Sequence, residues 1–176
     1  MPRRIKVICP PVEDDYFAFM TRELPDFICG LFPISRAAGG TPIWRDFRMG
    51  GYGTLIYRAE FPERFAAIGA FSGAIRIPPV EGRDLGPQFD PYALADGLLA
   101  AGRPLPALYL ACGTEDFLYR DNLAFRDHLC SAGVDLTWEA LEGYTHEWRF
   151  WNIEIEHFLD WIPRTDLYSR RARRGV

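Results

Sequence analysis

The chain has 176 residues, 48% hydrophobic and 15% aromatic, which is enough apolar side chain for one packed domain and too much for a disordered chain. Its formal charge of −4 leaves no footprint for nucleic acid, and no apolar run reaches the roughly 18 residues of a membrane span. Four scattered cysteines without C-x-x-C spacing read as free thiols of a reducing, cytoplasmic compartment, and three histidines without a His/Cys cluster predict no metal and no cofactor.

In chain order, residues 4–9 (RIKVIC) form a short apolar run closed by Pro10 and Pro11, as for a strand. The start carries two arginines but no clean apolar core or cleavage site, so it makes a poor signal peptide. Residues 14–32 place Phe17, Met20, Leu24, Phe27, Ile28 and Leu31 at helical spacing, with Pro25 marking a kink or a second start. Residues 33–42 read as loop and 43–47 as a strand. A helix is expected from Gly50 to about Glu60, then a buried strand over 65–71 (FAAIGAF) and a long loop over 76–92. A short helix is expected over 93–101. The last third alternates clearly: strand 107–112, amphipathic helix 121–132 capped by Gly133, strand 134–141, and helix 147–162. Strands alternating with helices predict a parallel sheet, with no internal repeat and no second domain. The arginines at 164, 170, 171, 173 and 174 belong to a basic tail, 164–176, expected to be solvated and disordered.

In open parallel sheets, functional groups sit in loops at the carboxyl ends of strands. Two such loops carry chemistry: Gly113-Thr114-Glu115-Asp116 and Glu142-Gly143-Tyr144-Thr145-His146. A lone aspartate there is usually a helix cap, and a lone histidine is usually nothing. With one helix and one strand between them, however, a crossover sets the two loops side by side, where Asp116 can fix the tautomer of His146. A third element, Met49-Gly50-Gly51-Tyr52-Gly53, follows a strand. It is a poor phosphate loop, since it has no Lys-Ser/Thr and no G-x-G-x-x-G. By position and chain order it fits a nucleophile elbow, G-x-S-x-G. The elbow here reads Asp46-Phe47-Arg48-Met49-Gly50, with the second glycine present and the first glycine and the serine absent.

A set of linked segments resembles the esterase D and tributyrin-esterase group of α/β-hydrolases. They are Asp15-Tyr16-Phe17 with Glu23-Leu24-Pro25, Met49-Gly50-Gly51-Tyr52-Gly53, Phe61-Pro62-Glu63-Arg64-Phe65 and Phe71-Ser72-Gly73-Ala74. The set continues with Cys112-Gly113-Thr114-Glu115-Asp116-Phe117-Leu118-Tyr119 and His146-Glu147-Trp148-Arg149-Phe150-Trp151. The resemblance implies Asp116 as triad acid, His146 as triad base, and the Met49 backbone N–H as one oxyanion donor. It implies hydrolysis of carboxylic esters, often with short acyl groups, through an acyl-enzyme and without a metal. Ser72 matches a serine that the group carries for structure. Two departures stand out. The early strands and the loop giving the other oxyanion donor are missing relative to the group. Arg48 occupies the nucleophile position, where a permanent guanidinium cation is a very poor nucleophile and disfavours an imidazolium beside it.

The group's pattern before Met-Gly-Gly-Tyr-Gly ends in Ala-Gly-Leu-Ser, and residues 37–48 look foreign to it while both flanks fit. Back-translating residues 40–48 and reading from each third base offers an account. The Trp44-Arg45 junction then forces alanine, the next codon allows glycine, the next leucine, and the next serine. The string can read Asp-Thr-Tyr-Leu-Ala-Gly-Leu-Ser, provided neither Arg45 nor Arg48 is an AGR codon. A pair of compensating frame changes would thus remove glycine and serine together, whereas a point loss of the serine would not predict the alanine and glycine.

The reading is an α/β-hydrolase fold over residues 1–163, incomplete at its N-terminus and of carboxylesterase lineage, with activity impaired by Arg48. Its expected partner is a small-molecule ester, with no nucleic acid and no membrane, and a homo-oligomer left open. The rival readings are a non-catalytic binding protein on the same fold, an inactive gene fragment, and an acyltransferase.

Overall fold

A computed structural model describes residues 43–47, 49–60, 66–76, 86–103 and 105–162, together with single positions in 19–27. The chain divides into two compact units, Met1–Thr41 and Pro42–Val176. In the first unit, Phe19, Glu23, Leu24 and Phe27 are helical, within the stretch whose spacing predicts a helix. The expected strand over 4–9, the loop over 33–42, Arg48 and the tail lie outside the described residues.

The second unit is a four-stranded, wholly parallel sheet in sequential order, β1 (Ile43–Phe47), β2 (Ala67–Phe71), β3 (Ala107–Gly113) and β4 (Leu136–Leu141). The connections are helices α1 (Met49–Glu60), α2 (Pro91–Ala100) and α3 (Tyr119–Ser131), and α4 (Trp148–Trp161) follows β4. The arrangement of parallel strands and flanking helices is therefore as the alternating pattern predicts.

β2 and β3 are apolar on both faces because both faces are covered. Ile68, Ala70, Leu108 and Leu110 point to one side, where Leu55 of α1, Ala95 of α2, and Phe125 and Leu129 of α3 complete a core. Phe71, Tyr109 and Ala111 alternate to the other side and pack on Phe150, Trp151 and Phe158 of α4. In that second core Phe71, Tyr109 and Phe158 meet edge to face with ring centroids 5.6–5.8 Å apart.

Two helices start two residues before the sequence reading has them, and β2 and β4 start two residues after it, at Ala67 and Leu136. α2 starts at Pro91, not 93: Asp90 is its N-cap, with the carboxylate accepting from the Tyr92 N–H at 3.0 Å, and Pro91 occupies the first turn where its missing N–H costs nothing. α3 starts at Tyr119, two residues early, because the turn after Asp116 runs directly into it. The C-terminal signal of α3 is as expected: Gly133 adopts φ 79° and its N–H donates to the Cys130 carbonyl. Among the described residues, no helix is long and apolar enough to cross a membrane.

Candidate active site

All four strands are parallel, so their carboxyl ends share one edge of the sheet, and three loops at that edge carry the residues singled out above. β3 delivers Asp116, β4 delivers His146, and β1 leads through a single residue, Arg48, into α1 at Met49. Arg48 itself and the Met49 side chain lie outside the described residues.

The acid and histidine loops are stitched together by backbone. Thr114 N–H donates to the Leu141 carbonyl and Glu115 N–H to the Tyr144 carbonyl, both at 3.0 Å, while Gly143 N–H donates to Thr114 Oγ1 at 2.9 Å. Gly113 makes this approach feasible: a Cβ built on it would lie 2.2 Å from the Tyr144 carbonyl oxygen. The glycine in Cys112-Gly113-Thr114 is thus a spacing requirement of the site.

Within this frame Asp116 is buried, and His146 Nδ1 lies 2.8 Å from Asp116 Oδ2. A carboxylate can only accept, so the shared proton sits on Nδ1 and the neutral ring carries its lone pair on Nε2. The other carboxylate oxygen, Oδ1, accepts from the Leu118 N–H at 2.9 Å, which fixes the acid's rotamer. Nε2 is buried and has no hydrogen-bond partner among the described residues. Buried ring nitrogens are ordinarily satisfied, so an open one facing away from its acid is the atom left for a reacting proton.

Aromatic rings hold the imidazole. Trp151 meets it edge-on at 5.0 Å and Phe117 lies 4.8 Å away, 76% exposed. Trp148, 62% exposed, packs on Trp151 at 5.2 Å, so the histidine is flanked by apolar surface open to solvent. In the sequence, Trp148 and Trp151 stand only within the expected helix over 147–162 and the segment that carries the family resemblance, with no role beside the histidine.

Neither Ser72 nor Cys112 is set up as a nucleophile. Ser72 is fully buried at φ 47°, and its Oγ accepts from Trp151 Nε1 at 3.3 Å. No base is hydrogen-bonded to Ser72 among the described residues. Cys112 is buried beneath it, and burial, aided by the Asp116 charge, pushes its thiol up to about 12, far from the thiolate that reacts. Asn122 braces the site from α3, its amide donating to the Gly73 carbonyl at 2.8 Å and the Leu118 carbonyl at 2.9 Å.

The family model described as "Putative esterase" matches residues 9–156. The acetyl esterase of Caldicellulosiruptor saccharolyticus is 29% identical over an alignment covering 86% of this chain and 65% of that protein. Among solved structures, the S-formylglutathione hydrolase FrmB from Staphylococcus aureus superposes with a TM-score of 0.72 at 27% identity, covering 83% of this chain and 59% of that one. FphF, a fluorophosphonate-binding serine hydrolase of Staphylococcus aureus, gives 0.74 at 27% identity, with 84% and 63% covered. The chain thus spans just under two thirds of the length of these relatives. With a matching family model over most of its length and the α/β-hydrolase sheet of its structural neighbours, the chain belongs to the esterase family.

Proposed function

We propose that this chain carries the acid–base half of a serine carboxylesterase acting on small esters, and that Arg48 at the nucleophile position leaves it with little or no turnover. The carrying observation is the His146 Nδ1–Asp116 contact at 2.8 Å with Nε2 left open. In an intact site a serine at position 48 would give its proton to Nε2 as it attacks the ester carbonyl. Asp116 would stabilise the imidazolium, and the Met49 N–H, at the start of α1, would donate to the oxyanion. The apolar rings of Phe117 and Trp148 beside His146 favour an uncharged ester over a charged substrate. The two free cysteines among the described residues, Cys112 and Cys130, fit a reducing, cytoplasmic setting.

The guanidinium at position 48 is neither a nucleophile nor a neighbour that tolerates an imidazolium. A protein that keeps the fold without turnover is therefore the second reading, and Arg48 is the feature that favours it. Release of p-nitrophenol from the acetate and butyrate esters tests the proposal: the full chain is expected at the buffer rate. Turnover matching an intact esterase, and abolished by His146→Ala, would refute the assignment of Arg48 as a disabling residue.

A further inference from the structure

On the sheet face covered by α4, away from the carboxyl edge, a second group of chemically active side chains converges from three elements. Glu139 comes from β4, Tyr109 from β3, and Glu154 and His157 from successive turns of α4. One ligand atom each from Glu139, Glu154 and His157 falls within a 4.8 Å cluster. His157 Nδ1 lies 2.7 Å from Glu139 Oε1, and the Tyr109 hydroxyl bridges the two carboxylates, against Glu139 Oε2 and 2.9 Å from Glu154 Oε2.

The group is short of positive charge. A phenol has one proton and can satisfy one carboxylate at a time, and a neutral imidazole supplies one N–H. Glu154 is fully buried, and the second oxygen of its carboxyl, Oε1, is also buried with no hydrogen-bond partner among the described residues. A buried carboxylate in that state is costly unless a proton or a cation meets it, and burial accordingly raises the Glu154 pKa from 4.5 to about 7. Access is available from one side, since the side chains of His157 and Glu139 are 44% and 30% exposed.

We propose that Glu139, Glu154 and His157 form a binding site for one divalent transition-metal cation of zinc type. Two carboxylate oxygens and one imidazole nitrogen make a three-ligand set with an outward position left for water. The imidazole and the small number of oxygens favour zinc-like ions over magnesium or calcium, which take oxygen ligands in greater number. Tyr109 then serves as the outer partner, its hydroxyl orienting a ligating carboxylate. The site joins β4 to α4, the two elements that flank the loop carrying His146, so the bound ion clamps that loop's supports. Counting only histidine and cysteine in the sequence misses this set, because two of its ligands are glutamates and the fold assembles it from a strand and a helix.

The test is calorimetric titration of zinc chloride into the chelator-stripped full chain, paired with thermal melts and with the visible d–d absorption of the cobalt(II) form. One equivalent is expected to bind, with a raised Tm. His157→Ala and Glu139→Gln, both on the solvent side of the cluster, should each weaken binding by about 100-fold, the upper end of what loss of even an outer partner costs a metal site. His128→Ala, which removes an exposed pair with Asp96, and His146→Ala should leave it unchanged. Near-UV circular dichroism confirms that each variant is folded, and if one is not, the other decides. Absence of saturable binding overturns the proposal, as does binding that survives both cluster variants. Binding lost in His146→Ala alone would place the ion at the acid–imidazole pair and overturn it equally.

Discussion

At the scale of single residues, the site rests on how few alternatives Asp116 has. Its carboxylate is buried and spans two donors, the Leu118 N–H and the His146 ring. Asp116→Ala leaves both unpaired and should cost about 1–3 kcal/mol in urea denaturation, whereas Asp116→Asn keeps an acceptor for Leu118 and should cost less. Arg48→Ser alone is expected to restore little hydrolysis, because Asp46 still occupies the glycine position of the elbow; full turnover in that variant would count against the account. The cysteines give an independent check. Cys130 is exposed and Cys112 is buried with its thiol pushed up to about 12, so native-state alkylation mapped by mass spectrometry should modify Cys130 and spare Cys112 until the chain unfolds. The Asp116–His146 pairing was legible in the sequence because each residue lies in the loop after a strand, and parallel topology brings such loops together. The aromatic rings around His146 were not legible, since helical spacing marks Trp148 and Trp151 as apolar without saying what lies beneath them.

At the scale of elements, the segments with the strongest apolar runs formed as expected. β3, α3, β4 and α4 lie within about two residues of their predicted bounds, since burial on both faces leaves a strand such as LYLAC little choice. What escaped was local end chemistry. Asp90-Pro91 is a helix start hidden in a stretch rich in Pro, Gly and Asp, and the short turn from Asp116 to Tyr119 advances α3. Ends that were recognised carry measurable energy. Gly133 holds φ 79°, so Gly133→Ala forces a side chain into the left-handed region and should destabilise the protein by about 1 kcal/mol. Phe158 is 1% exposed at the centre of the α4 core, and Phe158→Ala should cost about 3–5 kcal/mol, read from the denaturation midpoint.

At the scale of the whole molecule, two buried acids with raised pKa values set an alkaline limit. Cys112 moves from 9.0 to about 12 and Tyr52 from 10.0 to about 12, each chiefly by burial. Both are neutral below pH 9, where their contribution to stability is whole. Above that, the unfolded chain ionises first, and the contribution drains away as pH rises toward about 12. Unfolding free energy measured against pH should therefore fall across that window, and Cys112→Ala should flatten part of the fall. The foreign stretch before Met49 also belongs to this scale. A family match running on both sides of it, over residues 9–156, fits a local disturbance of the reading frame better than general decay. Sequencing the coding DNA across codons 33–53 should reveal a frame that reads Gly-Leu-Ser before Met49, and an AGR codon for Arg48 would rule that origin out.

Whether the acid–base pair stands without a nucleophile is read from the intact mass of the full chain after incubation with a fluorophosphonate. No adduct is expected, because Arg48 cannot be phosphonylated, Ser72 is buried without a base among the described residues and Cys112 is held as a thiol. A stoichiometric adduct that disappears in His146→Ala would show that another residue works with the histidine, and would contradict that expectation.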